Sequence, residues 1–358
     1  MKVINYLKKY GIEKLEAEFA IKVRHYDDRF TLNYNQIDSP KTHPITMECR
    51  GLILNYDFEV VSRSFDRFFN WDEAPEQSEA FSFKGAVLLE KCDGSLIKLY
   101  HYEGQWTFST RGTAFAEAET ALGTSFNDLV METIEVDDLQ DACKDLDTDI
   151  TFIFEIISPK NRIVTPYKKS ELVLLGSRYN TNGFYVHARQ PIYIFANTRP
   201  AKEFKISTEE GLLEFVNDRG GLQEGVVAYD PLSGVRKKLK AEAYIAVHRL
   251  RGEGILTPRR IIDLVVTGET DEYLSYFPED TPTIEPYLDK LDSLCHSMDC
   301  IWYETAEIVN QKQFALEVAH YNFSWALFKA KKLKTNPVEE FYKASVSLRN
   351  KTLASFLT

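Results

Sequence analysis

Short runs of alternating apolar and polar residues fill the first two thirds of the chain. "MECRGLIL", "FEVVSRS", "AVLLE", "SLIKLY", "WTFST", "ITFIFEI", "LVLLGS", "IYIFA" and "GVVAYD" are rich in β-branched and aromatic residues, and each is bounded by Gly, Asp, Asn or Pro. That pattern predicts strands. "STEEGLLEFVND", from 207, has helical spacing instead, with Ser207 or Thr208 as cap and acidic residues in its first turn. From about Ala241 the apolar spacing changes to three and four. "TPRRIIDLVV" offers Thr257 as N-cap and Pro258 at the first helical position. "IEPYLDKLDSLCHSM", "IWYETAEIVNQKQFALEVAHYNFSWALFKAKKLK" and "NPVEEFYKASVSLRNKTLASFL" continue the helical pattern. "TGETDEYLSYFPEDTPTIEP" shows no period and reads as the longest connector. No repeat or low-complexity segment interrupts this order. The chain reads as a strand-rich domain followed by a helical one, and 358 residues suit two cores better than one.

Composition narrows the setting. No apolar stretch is long enough to span a bilayer, and the N-terminal "MKVINYLKKYGIEKLEAEF" is charged throughout, unlike a signal peptide. A cytoplasmic location follows, that of the host cell if the chain is phage-encoded. Cys49, Cys92, Cys143, Cys295 and Cys300 are odd in number and irregular in spacing, which predicts free thiols. Cys295, His296 and Cys300 fit no common zinc spacing. The net charge of -11 argues against a broadly basic nucleic-acid surface but leaves room for a local one. "RKKLK" at 236–240 and "KAKKLK" at 329–334 are the two clusters that qualify.

The chemistry centres on "LLEKCDGSLIKLY", residues 88–100. Lys91 closes an apolar strand, where an ammonium is costly to desolvate. Partial desolvation lowers a lysine pKa, and the neutral amine is a nucleophile. The plain alternative is a hairpin with Asp93-Gly94 at its turn. Four later features bear on the choice. Glu155 interrupts an apolar strand, so it is either used or a satisfied core carboxylate. Glu224-Gly225 opens another strand, or is only a turn. Lys238 and Lys240 share one face of a strand, or decorate a solvated edge. Arg111 precedes a glycine in what is otherwise a surface turn. One nucleophilic lysine, two carboxylates and a lysine pair together suit attack on a nucleotide α-phosphate. The cations would balance phosphate charge and help keep Lys91 neutral, and a carboxylate could hold Mg²⁺.

In that order along the chain, "KCDGS", "STRG", "FEIISPKNRIV", "EGVVAYD" and "KLK" look like nucleotidyltransferase motifs I, Ia, III, IV and V of the covalent superfamily of polynucleotide ligases and capping enzymes. "ECRGLIL", "FDRFFNWDE" and "PKNRIVTPY", followed by helical sequence, resemble the phage RNA ligase 1 family. The resemblance implies an α+β fold: an antiparallel-sheet adenylation domain over 1–243 and an all-helical domain over 244–358. It implies an enzyme that joins an RNA 5′-phosphate to a 3′-hydroxyl with ATP and Mg²⁺, with Mn²⁺ as a substitute. Lys91 would accept AMP and pass it to the RNA end. Lys238 and Lys240 would hold the α-phosphate, and Arg50 would contact phosphates. Glu155 would meet the ribose, and Arg111 the ribose or the nucleotide. Glu224 would serve the metal. Gly94 would admit a close backbone approach, with Asp93 and Ser95 ordering the turn. Glu90, Asp93, Gly94 and Arg67 would complete the nucleotide site. Arginine stands at 67 and 111 where the family pattern tends to have lysine, which keeps charge but changes shape.

The same resemblance implies a tRNA-recognition role for the helical domain, in repair of tRNA broken in the anticodon loop. That domain is not broadly basic: from Ile245 onward it has thirteen basic and sixteen acidic residues. Recognition would then rest on shape and a local patch such as 329–334. No membrane and no obligate protein partner are called for. A DNA ligase or capping enzyme would follow motif V with an OB-fold, where helical sequence stands here. A catalytically inactive RNA-binding protein would have lost a charged motif residue, and none is missing. No G-x-x-x-x-G-K-[ST] loop marks a kinase module.

Overall fold

A computed structural model describes residues 1–74, 80–120, 123–186, 189–219, 222–252 and 256–357. The chain divides into two compact units, Met1–His248 and Arg249–Thr358. The fold is α+β, with sheets in the first unit and helices in the second.

Three sheets build the first unit. One runs Ile21–His25, Arg29–Tyr34, Arg50–Asn55 and Val60–Ser62, all antiparallel neighbours. Leu32 faces Leu52 while Asn33 faces Arg50, so Gly51 is the extra residue of a bulge. A second sheet orders Tyr185–Val186, Glu171–Tyr179, Ile150–Ile157, Ser95–Tyr102 and Gln105–Thr110, with Thr198–Pro200 added parallel to Glu171–Tyr179. Leu99, Phe108, Phe152, Phe154 and Leu172 come from its strands, and they pack with Leu129, Val130 and Ile134 of the helix Phe126–Ile134. Ser125 caps that helix by accepting from Asp128 N. The third sheet orders Glu203–Phe204, Val87–Lys91, Gly225–Tyr229, Arg236–Lys240 and Phe69–Asn70. Its first four strands are antiparallel neighbours, and the last pair is parallel.

Three expectations give way to the structure. "IYIFA" is not a strand: Pro191–Ile194 is a single helical turn. Pro191 has no N–H for a ladder, but at the first helical position that donor is not needed. The connector before the long helix is also partly helical. Thr270–Tyr276 forms a short helix with Asp271 and Glu272 in its first turn, and Pro278–Asp280 a 3-10 turn. Seven residues are too few to display a period, and the prolines disguise the join. Helices Lys2–Tyr10 and Ile12–Phe19 are likewise present in a region that reads as strands and turns.

In the second unit, Thr257 caps Pro258–Thr267 through Arg260 N, and Gly268 ends it in the left-handed conformation. Thr281–Thr305 is a 25-residue helix. Its buried Leu291, Leu294 and Met298 form a core with Ile261, Leu264, Phe341 and Leu353. Among the lysines of 329–334, Lys329 is paired with Glu340 at 2.8 Å, and Lys331 donates to Ala306 O. Lys332 and Lys334 remain as the outward cations of that cluster. All five cysteines are free thiols. Among the described residues no helix is long and apolar enough to cross a membrane, and no cluster of three His, Cys, Asp or Glu side chains could by itself hold a metal ion.

Candidate active site

Lys91 is the last residue of the strand Val87–Lys91, which pairs on one side with Gly225–Tyr229. The register sets Lys91 opposite Gly225, and Gly225 opposite Lys240. Three strands therefore carry Lys91, Lys240 and the residue before Gly225 to one point. Gly225 has φ +148°, and a Cβ there would lie 2.0 Å from Leu239 O, so the crossing tolerates no side chain. Glu224, 5% exposed, reaches both cations: Oε2 is 2.6 Å from Lys91 Nζ, and Oε1 is 2.9 Å from Lys240 Nζ.

This pairing corrects the expected state of Lys91. Burial pushes its pKa down, but the carboxylates of Glu224, Glu155 and Asp93 outweigh burial and hold it above the ordinary lysine value. The resting side chain is an ammonium, not an amine kept neutral by neighbouring cations. Glu224 is the complement. Burial raises its pKa, but Lys91 and Lys240 pull it below the ordinary carboxylate value. Lys238 behaves as the sequence reading expects of a desolvated lysine. Burial, then Lys91, Lys240 and Arg50, bring it down to about 8. Its strand is no open edge at this point, since Lys237 and Lys238 also pair with Phe69 and Asn70.

A cavity of about 500 Å³ opens beside Lys91 where the three sheets meet. Phe65, Leu89, Leu175 and Val227 are among its apolar lining, and Lys91, Glu155, Arg50, Arg111 and Arg236 among its charged lining. Such an arrangement matches a flat base joined to a charged tail. Among the described residues none makes a hydrogen bond or ion pair with the Glu155 carboxyl group. Burial raises its carboxyl to about 7, with Glu224 adding to the effect and Lys91 and Arg50 opposing it. A second cavity of about 250 Å³ shares Arg50, Phe68, Lys91 and Arg111 with the first. Lys41, Arg67 and Lys238 bring its cations to six, against the single carboxylate of Glu73. Arg67 stacks 4.1 Å from the Tyr34 ring centroid, and its Nη1 is buried without a partner. Six cations around so small a space are suited to phosphate oxygens.

The turn after Lys91 is fastened from within. Asp93 is 2% exposed. Its Oδ2 accepts from Val164 N at 2.7 Å and Thr165 N at 2.6 Å, and its Oδ1 accepts from Tyr244 OH at 2.6 Å. With its oxygens occupied, Asp93 orders the turn and does not line the cavity. Gly94 admits a close approach, but by protein: a Cβ would lie 2.3 Å from Ile156 O. Ser95 Oγ accepts from Asn161 Nδ2 at 3.0 Å. Glu90 lines the larger cavity, while its Oε1 is engaged by Arg199 and by Lys202 N. Arg50 lies between Ser64 Oγ, at 3.3 Å, and the Phe68 ring.

Sequence reasoning missed Tyr34, Lys41, Phe68 and Tyr244. The first three lie on separate segments that only the fold assembles. Tyr244 follows Lys240 by four residues on the helix Glu242–Arg251, and nothing in "KLKAEAY" marks a hydroxyl aimed at Asp93. Tyr244→Phe should destabilise the protein by about 1–2 kcal/mol by leaving a buried carboxylate oxygen short of a donor. Chemical denaturation reads this directly, and an unchanged midpoint would show that the bond contributes nothing.

The carboxylates offer a partial metal site. Glu155 is unpartnered, and Glu224 has only ammonium groups to exchange for a cation. Mg²⁺ needs few protein oxygens and completes its shell with water and phosphate. These two residues fit such an ion when phosphate is present.

The model of a family described as RNA ligase matches residues 48–240. A protein of Autographa californica nuclear polyhedrosis virus, described as a bifunctional polynucleotide kinase/RNA ligase, is 32% identical over 93% of this chain and 50% of its own length. An RNA ligase of Rhodothermus phage RM378 is 26% identical over 77% of this chain and 79% of its own. The chain thus spans half the length of the viral relative and about four fifths of the phage protein. An archaeal ATP-dependent RNA ligase structure superposes with a TM-score of 0.47 at 15% identity, covering 74% of this chain and 68% of that one.

Proposed function

The chain belongs to the RNA ligase family matched over residues 48–240, and we propose that it joins RNA 5′-phosphate and 3′-hydroxyl ends with ATP, by way of lysyl-AMP and RNA-adenylate, in repair of cleaved tRNA. The observation that carries this reading is the position of Lys91, at the boundary between an apolar-walled cavity and a cationic one.

In the first step Lys91 Nζ releases its proton to solvent water and the resulting amine attacks the α-phosphorus of ATP. A P–N bond forms, the bond from the α-phosphorus to the bridging oxygen breaks, and pyrophosphate leaves. Phosphate charge entering beside Lys238, Lys240, Arg50 and Arg111 is balanced by these cations. Glu224 would hold Mg²⁺, which when bound supplies further positive charge near the phosphates. Glu224 holds Lys91 and Lys240 in place before substrate arrives. The apolar wall takes the base, and Glu155, on the same cavity, meets the ribose. Arg67 and Lys41 line the smaller cavity, where the leaving pyrophosphate or the RNA 5′-phosphate would sit. In the second step the RNA 5′-phosphate takes AMP from Lys91. In the third the 3′-hydroxyl attacks the activated end and AMP leaves. Lys332 and Lys334 are the residual basic patch available to RNA on the helical unit.

Sealing of a 5′-phosphorylated RNA strand, compared with a DNA strand of the same sequence and with nicked tRNA, tests the reading. Joining of RNA, fastest on the tRNA, is expected. Joining of DNA alone would replace RNA ligation with DNA ligation, and equal use of tRNA and unstructured RNA would remove the tRNA role.

Glu155 adds a pH prediction. Its folded pKa stands above the unfolded value of 4.5, so the protonated form favours folding below that value and the benefit is lost as pH rises through about 7. Glu155→Gln should therefore melt higher than the parent at pH 8, by roughly 4 °C, and match it near pH 4.5. Thermal scans across that range check it; a gain confined to low pH would contradict the assigned burial.

A further inference from the structure

We propose that Lys98 is a positioning residue that fixes the backbone bulge at Gly51 and, through it, sets Arg50 and Arg111 in the wall shared by the two cavities. The inference rests on the ligase reading above and adds to it a residue outside the motifs.

Lys98 lies mid-strand in Ser95–Tyr102, opposite Ser109 and Ile153, and is 0% exposed. Among the described residues no carboxylate pairs with it, and its side chain makes one hydrogen bond, from Nζ to Gly51 O at 2.5 Å. A fully buried lysine without a counter-ion is costly, and a fold keeps one only where the bond it donates matters. The acceptor explains the need. Gly51 is the extra residue of the bulge in Arg50–Asn55, with φ +70°, and Lys98 supplies the donor for its carbonyl. The bulge also rests on the motif around Arg111: a Cβ on Gly51 would lie 2.8 Å from Arg111 O and 3.1 Å from Arg111 Cα. One contact point thus joins the residue after Arg50 to the backbone of Arg111. Both arginines line both cavities. If the bulge shifts, both guanidinium groups shift with it.

The charge state suits this part. Burial, and then the neighbouring Arg50 cation, bring Lys98 down to about 7. A neutral amine still donates to Gly51 O and does not repel Arg50 or the phosphates that Arg50 faces.

Lys98→Met keeps the volume and removes the donor. Single-turnover self-adenylation should slow by roughly thirtyfold and the KM for ATP should rise, while the melting temperature stays within a few degrees of the parent. Arg50→Ala provides the cycle. If Lys98 acts through Arg50, adding Lys98→Met to Arg50→Ala should change the rate by less than about threefold. Should Lys98→Met fail to fold, Lys98→Gln keeps an N–H on a shorter stem and is expected to show a smaller loss with the same coupling. Normal adenylation in the Lys98 variants, or a double variant that loses the product of the single effects, overturns the role of Lys98 alone. Failure of the unaltered protein to take up AMP overturns the ligase reading and this inference with it.

Discussion

Replacing Lys91 by alanine should abolish AMP attachment, and replacing it by arginine should do the same. Alanine removes the attacking nitrogen. Arginine keeps the charge that pairs with Glu224 but stays protonated, so it has no lone pair to offer phosphorus. Loss of a covalent nucleophile leaves only binding and charge stabilisation, a fall of roughly 10⁴-fold or more. The arginine variant is the sharper test because it separates charge from nucleophilicity. Labelling with α-labelled ATP reads both variants. Retained label in either one would move the reaction to a different residue. Joining of an already adenylated RNA strand should survive better than the complete reaction, since that substrate enters after the step Lys91 performs.

The second large effect belongs to Glu224. Its two oxygens hold Lys91 and Lys240, so Glu224→Ala leaves two partly buried ammonium groups facing each other with Lys238 close by. Both lysines keep some solvent contact, so the cost in stability should be about 2 kcal/mol, below that of a fully buried pair. The cost in self-adenylation should be larger, roughly 100-fold or more, because the carboxylate also serves the metal. Two pH signatures accompany it. Glu224 sits below its ordinary value of 4.5 in the fold, so its contribution to stability is present above that value and is lost as pH falls through the folded one. Lys91 sits above its ordinary value of 10.5, so its contribution is lost only as pH rises through the folded one. The stability gap between parent and Glu224→Gln should therefore narrow on the acid side. Self-adenylation in Glu224→Gln should reach its alkaline plateau at lower pH, since Lys91 has lost the partner that retains its proton. A variant with the parent's rate and Mg²⁺ dependence would remove both roles from Glu224.

The sequence makes the site legible where charges meet strands: Lys91 closes an apolar strand, Glu155 interrupts one, Glu224 opens one and Lys238 shares a strand face with Lys240, and each borders one cavity or pairs beside it. What the sequence could not show is the protonation state of Lys91. That depends on which carboxylate lies within hydrogen-bonding distance, and Glu224 precedes a strand more than a hundred residues away. Asp93 illustrates the same limit. Its place beside Gly94 suggests a turn residue or a ligand contact, and only the loop Val164–Thr165 and Tyr244 decide for the turn. The fold was readable wherever elements were long. Its misses were short: the single turn Pro191–Ile194, the seven-residue helix Thr270–Tyr276, and the first two helices of the chain. Lys98 was hidden for another reason. In "SLIKLY" it looks like the polar partner of an alternating strand, yet it points to a buried carbonyl contributed by a bulge that the sequence does not announce.

One measurement bears most directly on the whole account: incubation of the unaltered protein with α-labelled ATP and Mg²⁺, then denaturation, digestion and mapping of the labelled peptide. The account predicts one adduct, on the peptide carrying Lys91, acid-labile as a P–N bond should be, with one pyrophosphate released for each AMP bound. Label on Lys98, Lys238 or Lys240, or no label at all, would contradict it.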